Sequence, residues 1–527
     1  MKAILRYITI LVLCCGIWPA CQDIEDTYKD YAGNGPIQYL NKIYDLKATP
    51  QWESVLLTWK LTLDPSRTGI LVEWKNSTKT YSQMIDKDSV NFLVQGLTDN
   101  YDYMFNVWAI RVENGEIVKK SLGDAVYGRP FNFESDELAL FTHVVRKQIK
   151  VANKKMFVIF DNWAANLISF KIGYFEKGND QEQFYVANAG DKINGLPKGK
   201  PYAVIGENID FNKPINVYRT GQIGSFGNKV LDLKPLPLYF DLPTFNSDFA
   251  NELRPQIGVY GEIKSSDVAD ISTLEINFNQ ASLEDILYLP NLKTLNLGKS
   301  RYIKSGTEAT AKSTLSSDIN RDISLGALEL ANQLLGVEIN QYSKHYFDQL
   351  PAWFAGKNLV PQLPSLNLLN TSGWEITESP TDVMGYETGL GNLLVDNTQY
   401  WLPTASAQLR THVFTIDMKG MPNILGFKIT EPDINDATLS LSGLISIEIM
   451  DASSIWVPAA FNQSVAIGNA KGETSLVYLN KDKKTAKQAQ KIRVTVSDNF
   501  YKKAYDANSN YVSFYRTALG SFMAFTK

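Results

Sequence analysis

The chain has 527 residues and a mass of 59.1 kDa, too many for one hydrophobic core, since cores stop growing at roughly 250–300 residues. Hydrophobic residues make up 44% and charged residues 20%, a composition of folded protein and not of a disordered tail. The formal net charge is −4. That balance argues against a nucleic-acid partner, because such binding needs clustered Lys and Arg to displace counterions.

Cys14, Cys15 and Cys21 are the only cysteines, so the body has no disulfide framework, thiolate metal site or Cys nucleophile. The leader comes first in the chain. Lys2 and Arg6 form a positive segment, Ile8 to Ile17 is an apolar stretch too short to span a bilayer, and Ala20 precedes Cys21. This resembles a bacterial lipoprotein signal over residues 1–21, which implies acylation of Cys21 and a membrane partner through the N-terminal lipid. Trp18 and Pro19 depart from the usual pattern, and the alternative is a secretory leader cleaved near Ala20. Asp23, Glu25 and Asp26 resemble the export signal of surface-exposed lipoproteins in gut Gram-negative anaerobes; the alternative is a plain solvated tether over 22–40.

Short runs rich in aromatic and β-branched residues follow: Val55 to Trp59, Ile70 to Trp74, Phe92 to Leu97 and Tyr101 to Ala109. Their order resembles a fibronectin type III module over 41–132, with Trp59, Tyr103 and Phe105 filling the space between sheets. Met156 to Phe160, Ile168 to Tyr174 and the stretch Gly195 to Tyr202 suggest a second β sandwich over 145–235. Apolar positions from Leu138 to Val151 predict a short connecting helix. Leu233 to Leu238, with Pro235 and Pro237, reads as a stiff linker.

The pattern then changes. Ile271, Leu274 and Ile276 are echoed by Leu292, Leu295 and Leu297, with Leu283, Ile286 and Leu289 between. That offset suits one leucine-rich repeat, and so few repeats need a neighbour to close their core. The alternative for this α/β region, 245–365, is an ordinary strand–helix–strand segment. Leu325 to Leu335 reads as helical.

From 370 to 527 a Trp-bearing strand at Trp374, the loop Asp396-Asn397 leading to Trp401, and the alternating strand His412 to Asp417 stand in sequence. Ile445 to Ile449, Trp456 and Ile492 to Val496 follow. In this order they resemble the coagulation factor 5/8 type C, or discoidin, domain, a galactose-binding-like β jelly roll. The family implies carbohydrate binding by loops at one end, and by position the candidates are Tyr386, Tyr400, Arg410 and Trp456. An aromatic ring offers a flat face to a pyranose, and Arg hydrogen-bonds hydroxyls. Trp374 and Trp401 stand where the family packs its core, and Trp456 has that alternative too. Asp396 matches the carboxylate of the family's structural calcium site, but Asn397 replaces the usual Gly and no acidic residue closes the C-terminus.

No Gly-x-Ser-x-Gly elbow, phosphate-binding loop or dinucleotide fingerprint is present. The fold class expected is mainly β and multidomain: fibronectin-like sandwiches, a leucine-rich-like α/β middle region and a C-terminal jelly roll. The whole resembles Bacteroidota-type surface glycan-binding lipoproteins. That implies an outer-membrane, lipid-anchored binder of polysaccharide that is not an enzyme, needs no cofactor unless calcium binds at Asp396, and partners a TonB-dependent transporter complex. The alternative is a protein-binding adhesion or scaffold lipoprotein.

Overall fold

The computed structural model describes residues 40–527, apart from 142–143, 225–228, 241, 308–311, 380–385, 398, 437–438 and 440–442. The leader, the tether and Cys21 lie outside the described residues. Two compact units divide the chain, one holding residues up to 142 with 221–233, the other 143–220 with 234–527. The molecule is mainly β and multidomain, with sandwich modules, a small α/β region and a terminal jelly roll.

In the first unit, Ser54–Lys60 lies between Tyr44–Gln51 and Asn91–Gln95. A second sheet pairs Gly69–Lys75 with Thr80–Asp86 and Tyr103–Glu113, which continues to Glu116–Lys120 and Asp124–Gly128. The period-two pattern of each strand turns one set of side chains inward. Trp59, Tyr103 and Phe105 are buried in one cluster with Val55, Leu57 and Val107, as the fibronectin resemblance implies.

The second unit begins with Val145–Val151, where a connecting helix was expected; a short 3-10 turn, Asp136–Phe141, ends before it. Ile149 and Val151 alternate with lysine and glutamine, and that two-residue period favours a strand. Its neighbour Lys155–Phe160 runs unbroken and apolar from Met156 to Phe160 because it is buried on both faces. Phe157 and Ile159 join the core of the leucine-rich region, while Phe160 packs against Phe170 and Tyr185 of the facing sheet. The proline segment is also no linker. Leu236–Pro237 pairs with Asn216–Val217 as an edge strand, a place where a missing N–H is tolerated.

The middle region is a parallel ladder of Thr273–Ile276, Thr294–Leu297, Glu338–Tyr342 and Gly356–Leu359. Leu274, Leu295 and Ile339 stand in register, so the leucine spacing becomes one buried row. Helix Asp318–Leu330 starts at an N-cap, Ser317, whose hydroxyl accepts from the Asn320 amide. It buries Ile323, Ala327 and Leu328, and its π-helical continuation stops at Gly336 in the left-handed conformation. Since Ile149, Val151, Phe157 and Ile159 complete this core, the repeats do lean on a neighbour.

The jelly roll packs two sheets. One runs Glu375–Ser379, Thr411–Asp417, Lys491–Ser497, Leu444–Met450 and Trp456–Pro458; the other runs Asn367–Leu368, Phe522–Thr526, Gly426–Thr430 and Thr474–Tyr478. Phe414, Ile416, Ile447, Val494, Phe427 and Phe522 fill the space between. Trp401 is fully buried there and Trp374 lies against the same cluster, so both are core residues. Among the described residues no helix is long and apolar enough to cross a membrane.

Candidate functional site

Strand register defines the two ends of the jelly roll. Thr411 stands opposite Ser497, and Asp417 opposite Lys491. Arg410 and Asp498 therefore share one end, where the Asp498 amide donates to the Arg410 carbonyl. The backbone of Trp401 pairs with Leu519 at this same end, since its ring sits 4.8 Å from that of His412. The domain's first and last strands, paired Asn367 to Thr526, begin and finish at the other end.

A buried polar chain forms the root of the loop end. Arg410 Nε donates to Asp498 Oδ2 at 2.8 Å, and Arg410 Nη2 donates to the Thr404 carbonyl at 2.8 Å. His412 Nε2 lies 3.0 Å from Asp498 Oδ1, and its Nδ1 lies 2.6 Å from Glu378 Oε1. Both ring nitrogens thus face carboxylate oxygens. Burial pushes the His412 pKa down, but its hydrogen bonds to Asp498 and Glu378 outweigh that, and the net shift is upward. Burial pushes Asp498 up, yet His412 and Arg410 together hold its carboxyl below the ordinary range. The arrangement favours the protonated form of the imidazole over the neutral one.

Immediately after Asp498 the chain forms a hairpin, Asn499–Tyr505 with Tyr511–Arg516. Phe500 stands opposite Tyr515, Lys503 opposite Ser513, and Tyr505 opposite Tyr511. Residues opposite each other share a face, and 511, 513 and 515 alternate onto the same one. Phe500 and Tyr505 are an odd number of residues apart and would normally point to opposite faces. The register shift between Phe500 and Lys502 brings them back together. One face thus carries Phe500, Tyr505, Tyr511 and Tyr515, with Lys503 among them. Phe500 is 51% exposed, Tyr505 72% and Tyr511 64%. On the other side the Arg516 guanidinium lies 3.9 Å from the Tyr501 ring, and Tyr501 packs towards Leu402, Leu439 and Ala518. The turn is closed by Asp506, whose Oδ1 accepts from the amides of Asn508 and Asn510.

The residues anticipated from sequence fall into separate places. Arg410 is at the loop end, 16% exposed, with its donors directed to Asp498 and Thr404. Tyr400 is half-buried against the same small cluster as Tyr501, and its carbonyl accepts from Asn392 Nδ2. Tyr386 belongs to a short strand opposite Pro403. Trp456 pairs with Met450, whose partner is Lys491, so it stands at the other end of the sheet. Seven residues of strand separate the ends by about 20 Å, so Trp456 and Arg410 do not share one site. The Arg493 guanidinium covers the Trp456 ring at 4.4 Å. Asp396 Oδ1 is 2.5 Å from Lys428 Nζ, which supplies its counter-charge. No group of three metal-ligating side chains occurs among the described residues.

The sequence reading missed the hairpin face. Its signal was aromatic residues at alternate positions, Tyr511 and Tyr515, across an Asp-Ala-Asn-Ser-Asn turn from Phe500 and Tyr505. Carboxylates in the middle region have other work. Helix Ser247–Ile257 presents Asp248 and Glu252 to the loop after the first parallel strand. Glu252 accepts from the Asn277 and Phe278 amides and from Gln280 Nε2, and Asp248 accepts from the Ala281 amide. Burial pushes the Glu252 pKa up to about 7 against those donors.

Residues 21–204 match a family model described as a domain of unknown function, DUF4998. Among curated proteins no sequence matches the chain. Solved structures similar to it include the F5/8 type C domain of a Bacteroides fragilis protein, at 11% identity over 31% of this chain and 97% of that one, TM-score 0.22. A family 32 carbohydrate-binding module of Clostridium perfringens in complex with galactose matches at 6% identity over 30% of this chain and 98% of that one, TM-score 0.22. A two-domain fibronectin type III segment of chicken tenascin matches at 12% identity over 38% of this chain and 98% of that one, TM-score 0.18.

Proposed function

We propose that this chain is a lipid-anchored surface protein that binds carbohydrate at the loop end of its jelly roll and performs no covalent chemistry. The observation that carries the reading is the hairpin face on which exposed Phe500, Tyr505 and Tyr511 stand beside half-buried Tyr515. Flat apolar rings with hydroxyl edges suit the C–H faces of pyranoses, while Lys503 and Ser513 offer polar contacts between them. The buried Arg410–Asp498–His412–Glu378 chain supports the hairpin root, so the platform is held before ligand arrives. Acylation at Cys21 would moor it to the outer membrane, and delivery of captured polysaccharide to a TonB-dependent transporter complex is the role this arrangement suits.

Affinity electrophoresis of residues 22–527 through gels containing individual polysaccharides tests the proposal. Retardation in at least one polysaccharide, reversed by Tyr505→Ala with Tyr511→Ala, supports it. Migration unchanged across a broad panel, with the same tyrosines required for capture of a protein, would favour the adhesion alternative. Release of shortened sugars on incubation would contradict the absence of catalysis.

A further inference from the structure

A second cavity lies away from the hairpin, at the carboxyl ends of the parallel strands. Open α/β sheets bind ligands at that edge, because the strand-to-loop transitions there leave a crevice. Tyr302 and Lys304 follow the strand Thr294–Leu297, Ser343 and Lys344 follow Glu338–Tyr342, and Val360 and Leu363 follow Gly356–Leu359. Together with Lys312 and with Gly472 and Thr474 of the jelly roll they enclose about 660 Å³. That volume is in the range of small-ligand sites.

The lining is unlike the protein as a whole. The chain carries −4 overall, yet among the described residues the charged ones facing this cavity are Lys304, Lys312 and Lys344, with no Asp or Glu. Lysines gathered in a cleft focus a positive field and raise the local concentration of anions. Their carboxylate partners stand outside the lining: Asp433 pairs with Lys304, and Asp348 with Lys312. Two further features shape the cavity. Ser343 and Lys344 both take left-handed backbone, at φ 50° and 49°, a conformation that non-glycine residues hold only when their surroundings enforce it. Thr474 donates its amide to the Tyr302 carbonyl, fixing jelly roll and parallel sheet around the opening. Val360 is 67% exposed and Leu363 46% exposed, and both line the cavity, so part of its surface is apolar.

We propose that this cavity is a separate subsite for a uronic-acid sugar residue, with its carboxylate among the lysines and a ring face on Val360 and Leu363. The proposal rests on the carbohydrate-binding reading for the ligand being a sugar, but not for its charge. Titration calorimetry on residues 22–527 tests it, using a galacturonate trisaccharide, the neutral galactose trisaccharide and sodium sulfate as probes. The expected result is at least tenfold tighter binding of the uronate than of the neutral sugar, weakening as salt screens the lysines. Lys304→Ala with Lys344→Ala is expected to lower uronate affinity at least tenfold, and Lys344→Arg alone to keep most of it. Equal affinity for both trisaccharides, or an uronate affinity untouched in the double variant, would overturn the proposal. Sulfate alone binding as tightly as the uronate would also overturn it, since the site would then be a simple oxyanion trap. Tyr505→Ala with Tyr511→Ala separates the two readings. Uronate binding that survives it but needs the lysines sustains the subsite even if the hairpin binds nothing. Neutral polysaccharide binding that depends on the hairpin alone sustains the platform without the subsite.

Discussion

Arg301 and Glu473 form a forked ion pair across 172 positions of sequence, Nε to Oε1 at 2.7 Å and Nη2 to Oε2 at 3.3 Å. Arg301 is 3% exposed and Glu473 fully buried, so neither charge has water to fall back on. The pair joins the loop after the second parallel strand to the residue just before the jelly-roll strand Thr474–Tyr478, and the next residues, Tyr302 and Thr474, line the cavity described above. Removing one partner strands the other in low dielectric, at a cost of about 3–5 kcal/mol. Arg301→Met and Glu473→Met are each expected to lower stability by that order in urea denaturation. The double variant is expected to recover much of the loss, because two apolar side chains leave no orphan charge. Losses that simply add would show that the two residues are not coupled.

His412 gives the jelly roll a defined dependence on pH. Its folded pKa is raised above the ordinary histidine value by Asp498 and Glu378, against the effect of burial. The native state therefore binds the proton more tightly than the unfolded chain does. This contribution is full below the unfolded pKa of about 6.5 and is lost as pH rises through the folded one. Asp498 acts in the opposite sense, because its folded pKa is lowered; its contribution is lost as pH falls through acid values. The urea midpoint should thus decline on the alkaline side in the natural protein, and the decline should flatten in His412→Gln. A midpoint rising from pH 6 to 9 would contradict this assignment.

Much of the fold was legible because its signals are local. Alternation in Ser54–Lys60 and in Thr411–Asp417 follows the two-residue period of a strand with one buried face, and Trp59 and Trp401 lie in the cores those patterns imply. The leucine rows of 274–276 and 295–297 predicted stacking, and the parallel register supplies it. The misreadings share a cause, which is that tertiary contacts decide between local alternatives. Leu236–Pro237 is extended whether or not it pairs, and only the presence of Asn216–Val217 beside it makes it a strand. The site was harder to read. Loop residues were chosen by sequence position, but the separation of Trp456 from Arg410 depends on strand register. The hairpin face depends on a bulge at Tyr501, which no residue type there announces.

The lipid anchor proposed at Cys21 predicts a simple fractionation result. Several buried acyl chains, at about 0.8 kcal/mol per methylene, hold a folded body on a bilayer. The expressed protein should enter the detergent phase on Triton X-114 partition and take up labelled palmitate. Cys21→Ser should abolish both while leaving the body folded. Partition into the aqueous phase by the natural sequence would instead point to cleavage near Ala20.

The hairpin makes the sharpest contrast between two sets of aromatic residues. Tyr505 and Tyr511 are largely exposed and their rings lie 5.4 Å apart, so replacing either by Ala removes little packing from the folded protein. Aromatic contacts contribute about 0.5–1.5 kcal/mol each beyond the area they cover. Each substitution is therefore expected to weaken binding of a retarding polysaccharide by about twofold to tenfold, with the melting temperature unchanged. Trp456→Ala removes a ring about 20 Å away along the sheet, beneath the Arg493 guanidinium. It is expected to leave that affinity as it was, with any effect confined to stability. Arg410→Ala tests the root: it leaves Asp498 with one partner fewer and should lower stability and affinity together. If Trp456→Ala abolished retardation while the tyrosine variants did not, the sugar would sit at the opposite end of the jelly roll, and the platform would have to be abandoned.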